Sequence, residues 1–139
     1  PEARIKKYIE MRGADAGSRA HLNALPAFWT GLMYDAGALD GAWDLVKGWS
    51  AETREGLRVA ASVSALHGEA GGIGLRDLAR EALKLARAGL AARGKDESRF
   101  LEVLDLHAAT GRTQADDLLS AWEGAWSRDF APLYPAVSL

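Results

Sequence analysis

The sequence predicts a mainly α-helical protein, a bundle of about six helices behind one N-terminal β-strand. Three observations carry that expectation. Residues Arg4 to Arg12 alternate with a period of two; beyond His21 the apolar residues recur at helical spacing; and capping residues and glycines punctuate the helical pattern at short intervals.

In the strand, even positions carry Arg4, Lys6, Tyr8, Glu10 and Arg12, and odd positions carry Ile5, Lys7, Ile9 and Met11. One face is largely apolar and the other charged, so Glu10 and Arg12 are expected on the same polar face. Gly13 and Gly17 then bracket Ala14, Asp15 and Ala16 in a segment suited to a loop. A lone strand cannot satisfy its own backbone groups. It is therefore expected to pair with a symmetry mate, a partner chain or sequence outside this one, which would permit self-association through the strand.

The period then changes. Leu25, Phe28, Trp29, Leu32 and Met33 fall on one helical face, with Asn23 as the expected N-cap, Pro26 in the first turn and Gly37 as the stop. Leu39, Ala42, Trp43 and Val46 continue the pattern to Trp49, and Ser50 caps a helix carrying Leu57, Ala60 and Ala61. His67 to Gly74, HGEAGGIG, reads as a flexible connection; a ligand loop is the alternative, without the lysine and spacing of a phosphate loop. Leu75, Leu78, Ala82, Leu85, Ala86 and Leu90 mark the longest amphipathic helix, which Gly94 ends. Asp96 or Ser98 opens the next helix, which runs through Leu101, Leu104 and His107 to Gly111. Thr113 followed by Asp116 predicts an N-cap for the helix of Leu118, Leu119, Trp122 and Trp126.

Composition excludes several classes. The 139 residues are 48% hydrophobic and 26% charged, which suits a globular chain with its own core. A formal net charge of -2 and the lack of a basic stripe argue against nucleic acid or an anionic membrane as partner. No apolar run approaches the roughly 18 residues that suggest a membrane span. The chain has no cysteine, which fits a reducing, cytoplasmic setting and rules out thiol nucleophiles and disulfides within it. It begins at Pro1 without methionine, and both removal of an initiator and excision from a longer protein explain that.

Few residues invite chemistry. His21, His67 and His107 are too scattered for a local metal motif, and each is read as structural or solvent-facing, with His107 suited to the end of a helix. The five tryptophans sit at helical spacing and read as core rather than as an aromatic box. Asp116 and Asp117 diverge around a helix and read as a solvated first turn. Taken alone, Glu10 and Arg12 read as an exposed ion pair on a strand.

A resemblance changes that reading. YIEMRGAD, followed after a short loop by LPAFWTGLMYD, is similar to the C-terminal part of glutamate–cysteine ligase in the branch shared by plant and proteobacterial enzymes, and GRTQADDLLSAWEGAW resembles that family's closing helix. The resemblance implies that residues 1–17 form a strand and loop of a catalytic sheet and residues 18–139 a C-terminal helical region, together part of a larger α+β ligase fold. It implies ATP as cosubstrate, magnesium ions, and L-glutamate and L-cysteine joined through a γ-glutamyl phosphate into γ-glutamylcysteine for glutathione synthesis. Glu10 then corresponds to a magnesium-binding carboxylate, and Arg12 to an arginine near phosphoryl transfer or the glutamate carboxylate. Tyr8 shares that face with a weaker claim, and Asp15 is assigned to the loop. No nucleotide-contacting residue is assigned.

The rest of the catalytic domain becomes the principal partner, and this segment alone is expected to be inactive. The alternative is a noncatalytic helical interaction module.

Overall fold

A computed structural model describes residues 3–15 and 17–137. Pro1, Glu2, Ala16, Ser138 and Leu139 lie outside the described residues, and with them one residue of the predicted Gly13–Gly17 loop.

The architecture is mainly helical, as the periodicity predicts, but the N-terminal segment is bent. Strands β1 (Ala3–Ile5) and β2 (Ile9–Met11) pair antiparallel, with Ala3 opposite Met11, Arg4 opposite Glu10 and Ile5 opposite Ile9. The single expected strand is thus a hairpin turned at Lys6–Tyr8. Folding back lets each half supply the hydrogen-bonding partners the other lacks, and alternation alone does not reveal the bend. Its apolar residues remain uncovered: Ile5 is 91% and Ile9 55% exposed. Among the described residues neither strand packs substantially on another element.

Helix α1 (Arg19–Met33) begins five positions before the expected start, because Ser18 rather than Asn23 precedes it and Pro26 lies well inside. The helix tolerates the missing N–H of Pro26 at the cost of one backbone bond. Helix α2 (Ala36–Val46) starts where a stop was expected: the Asp35 carboxylate accepts from the Ala38 N–H at 2.9 Å, and Gly37 falls in the first turn. Helix α3 (Ala51–Ser64) is capped by Ser50, whose hydroxyl accepts from Thr53 N–H at 3.0 Å.

A 3₁₀ turn at Ala65–His67 leads into a second hairpin, β3 (Glu69–Ala70) and β4 (Ile73–Gly74). Gly71 and Gly72 make its turn with φ of 59° and 76°, a conformation that suits glycine at both central positions. The glycine-rich stretch is therefore ordered secondary structure packed on α3.

Helix α4 (Leu75–Ala92) is the longest and crosses α1, α2 and α5 (Glu102–Thr110). Gly94 and Gly111 follow α4 and α5 with φ of 67° and 76°, and a 3₁₀ segment at Glu97–Leu101 joins the two. Helix α6 (Gln114–Glu123) opens with a full capping box between Thr113 and Asp116, and a short α7 (Leu133–Val137) follows.

The core gathers Ala27 and Leu32 of α1, Leu83, Ala86 and Leu90 of α4, Leu101, and Ala108 of α5. Leu90 and Leu101 are wholly buried, each contributing about 1.5–3 kcal/mol of apolar transfer. Small residues bring α1 and α4 unusually close. An added Cβ at Gly31 would strike the carbonyl of Ala86, and one at Gly89 the carbonyl of Gly31.

Candidate active-site strand

Glu10 lies in the middle of β2 opposite Arg4, and its position follows from the alternation of the segment. Its side chain is 32% exposed, yet Oε2 is enclosed and accepts no hydrogen bond. Lys6 Nζ stands 3.6 Å away, close enough for charge attraction and too far for a hydrogen bond. A carboxylate oxygen held without a donor is under-satisfied, and a hard cation or a further donor would complete it.

Arg12 lies one residue beyond β2, exposed, and makes no hydrogen bond or ion pair among the described residues. The expected Glu10–Arg12 ion pair is therefore replaced by a Lys6–Glu10 pair across the turn. Tyr8 sits in that turn, 5.9 Å from Lys6 Nζ to its ring centroid, and Asp15 is exposed in the following loop. The described residues contain no group of three or more metal-ligating side chains. Glu10 thus suits magnesium in kind, as one anionic oxygen, while the described residues do not build a complete cage.

Elsewhere the polar residues serve the fold. Asp116 accepts from Thr113 N–H at 2.6 Å and from its hydroxyl at 2.8 Å, and these bonds hold its carboxyl below the usual carboxylate range. Asp117 pairs with Arg112 at 2.7 Å. The two acids are a helix start, as expected. Arg76 donates to the carbonyls of Ala108 and Ala109 and Arg80 to that of Ala108, clamping the negative end of α5 onto α4. A cleft of about 420 Å³ between α4 and α5 is lined by Arg80, Lys84 and Arg87, but Arg87 is paired with Asp105, Arg80 with Asp77 and Lys84 with Glu81.

The aromatic residues divide. Trp29 packs on the core, Trp122 lies 4.2 Å from the Phe130 ring, and Trp43 is 59% exposed on α2, so uniform core packing does not hold. The histidines separate differently from the scattered picture of the sequence. His21 and His107 meet, and His67 lies against Gly111, four residues beyond His107.

A strand bearing an under-satisfied carboxylate is attached to a helical body, and the described residues build no closed site around it. The family model described as Glutamate-cysteine ligase family 2 matches residues 1–134, and the chain belongs to that family. It is 42% identical over 134 residues to glutamate–cysteine ligase A, chloroplastic, of Oryza sativa subsp. indica, covering 96% of this chain and 27% of the relative. Glutamate–cysteine ligase, chloroplastic, of Arabidopsis thaliana is also 42% identical, with 96% and 26% covered, and that of Nicotiana tabacum is 41% identical with the same coverage. The chain spans about a quarter of the length of these curated relatives.

Proposed function

We propose that this chain supplies one active-site strand and the helical buttress of an ATP-dependent glutamate–cysteine ligase. In this reading residues 1–17 join a catalytic sheet and residues 18–139 form a C-terminal helical region. The observation that carries it is the Glu10 carboxylate, held in β2 with an enclosed oxygen that lacks a donor, in a chain that belongs to the ligase family.

The uncovered Ile5 and Ile9 match the same reading, with the remainder of the catalytic domain as the cover. The relatives' greater length provides for such a cover.

In the proposed reaction the γ-carboxylate of L-glutamate takes the terminal phosphoryl group of ATP. The amine of L-cysteine then attacks the acyl carbon, an amide bond forms, and phosphate leaves. Magnesium, when bound, neutralises charge on the nucleotide phosphates and carboxylates. Glu10 would offer one carboxylate oxygen to that ion. Arg12, free of partners among the described residues, presents its planar donors to oxyanion charge at the reacting centre or the glutamate carboxylate.

No helix among the described residues is long and apolar enough to cross a membrane. A cytoplasmic location is part of the same proposal; the plant relatives above are named chloroplastic.

The test is Glu10→Gln in the ligase polypeptide that contains this chain, assayed by ADP release across a magnesium titration. The variant is expected to need more magnesium and to lose most of its rate while its melting temperature holds. An unchanged magnesium dependence removes Glu10 from metal ligation. Glutamate-dependent ADP release that survives substitution of both Glu10 and Arg12 would favour the noncatalytic helical module.

A further inference from the structure

We propose that His21 and His107 form a proton-gated latch that ties the start of α1 to the elbow between α5 and α6. The two residues are 86 positions apart, and their Nε2 atoms face each other at 2.8 Å. The ring centroids are 5.1 Å apart and the planes differ by 24°. A separation that exceeds the N···N contact by so much means that the rings meet nose to nose. They do not lie face over face, so the contact is a hydrogen bond through one shared proton.

The outer nitrogens determine where the protons reside. His107 Nδ1 lies 2.6 Å from the carbonyl of Arg112, which only accepts, so Nδ1 carries the proton and Nε2 offers a lone pair. His21 must then donate from Nε2. Its Nδ1, 2.9 Å from Ser18 Oγ, accepts from that hydroxyl. The chain of bonds runs Ser18, His21, His107, Arg112 carbonyl, with every position filled when both rings are neutral.

One added proton is accommodated. Placed on His21 Nδ1, it turns the Ser18 hydroxyl into an acceptor and leaves the central bond intact. A second proton has only His107 Nε2 to occupy, where N–H would face N–H and two like charges would meet. The central bond therefore survives one added proton and is broken by a second.

The surrounding charged groups offer little relief. Arg76 on α4 is committed to the α5 carbonyls and the Arg112 guanidinium to Asp117. Asp116 is committed to Thr113, His67 lies against Gly111, and Arg19 is exposed on α1 itself. Burial first, and then the neighbouring His107, lower the affinity of His21 for a proton.

The sign follows from that direction. A folded-state value below the ordinary 6.5 means that the unfolded chain binds protons more readily. The folded arrangement is favoured most above about pH 6.5 and is progressively disfavoured as pH falls through the lowered value of His21, while the central bond itself breaks only when both rings are charged.

The decisive measurement is made on the unsubstituted chain. Long-range proton–nitrogen correlation spectra at about pH 8 should show the proton on Nε2 of His21 and on Nδ1 of His107, and acidification should give two coupled steps. In parallel, between about pH 8 and about pH 5, the melting temperature should fall about 3 °C further than in the His21→Gln/His107→Gln double variant. Both rings carrying the proton on Nε2 and titrating independently would overturn the latch, whether or not the variant folds. So would identical melting profiles of the chain and a folded double variant. The measurement uses no substrate, so the latch and the ligase reading stand or fall separately.

Discussion

Gly31 of α1 and Gly89 of α4 meet backbone to backbone, with no room at either for a methyl group. Gly89→Ala would drive its Cβ into the Gly31 carbonyl, and because backbone is the obstacle the helices must move apart. The expected loss is about 1–3 kcal/mol or more in urea unfolding. Gly48→Ala, where nothing lies within 4 Å, is the control and should stay within about 0.5 kcal/mol of the parent. Equal effects from both would show that the α1–α4 crossing is looser than described.

Leu101 is wholly buried in the 3₁₀ segment that packs between α1 and α4. Leu101→Ala removes that apolar volume and leaves a cavity, with an expected cost of about 2–5 kcal/mol. Denaturant midpoints measured at constant slope report it. A cost below the range would mean that the segment collapses onto the void.

The Thr113–Asp116 box makes α6 sensitive to acid. Thr113→Ala should cost about 0.5–2 kcal/mol, the usual range for a lost cap. Because its bonds to Thr113 lower the Asp116 value, the folded chain releases that proton more readily than the unfolded one. The contribution is present above the ordinary 3.8 and disappears as pH falls through the lowered value. Amide protection factors of Gln114 to Glu123, corrected for the pH dependence of intrinsic exchange, should therefore fall at low pH in the parent. In Asp116→Asn protection should already be lower at neutral pH and lose that acid step.

Arg12 separates charge from geometry in the proposed ligase. If its guanidinium holds oxyanions at phosphoryl transfer, Arg12→Lys keeps the charge and loses the planar fork. The expected loss in rate is roughly a hundredfold, on the order of 3 kcal/mol of transition-state stabilisation, with an unchanged melting curve. Steady-state kinetics at saturating ATP, magnesium and glutamate would measure it. A near-normal rate would remove Arg12 from the site.

Local signals in the sequence carry far where the physics is local. Ser50 and the Thr113–Asp116 box cap the expected helices, and Gly94 and Gly111 end theirs, because caps and positive-φ stops depend on residues a few positions apart. The break at Tyr34–Asp35 is harder to read, since Asp35 and Gly37 are competing boundary signals and capping by Asp35 prevails. Lys6–Tyr8 contains neither glycine nor proline, so nothing in the alternation announces the bend. Gly71–Gly72 does carry a hairpin signal, which the reading of a flexible connection passed over. At the candidate site, the roles of Glu10 and Arg12 come only from the family resemblance. The approach of His21 to His107 depends on how α1 and α5 pack, and no spacing rule reaches across 86 residues.

The uncovered β1–β2 hairpin leaves this chain, taken by itself, with an exposed apolar ribbon. Ile5 and Ile9 stand in water beside strand edges open to further pairing, the combination that holdase chaperones grip and that seeds edge-to-edge clumping. Lys6 and Lys7 at the tip oppose stacking by charge repulsion without hiding the apolar row. In the proposed ligase, cover of this ribbon by the rest of the catalytic domain would hide the apolar row and the open edges together.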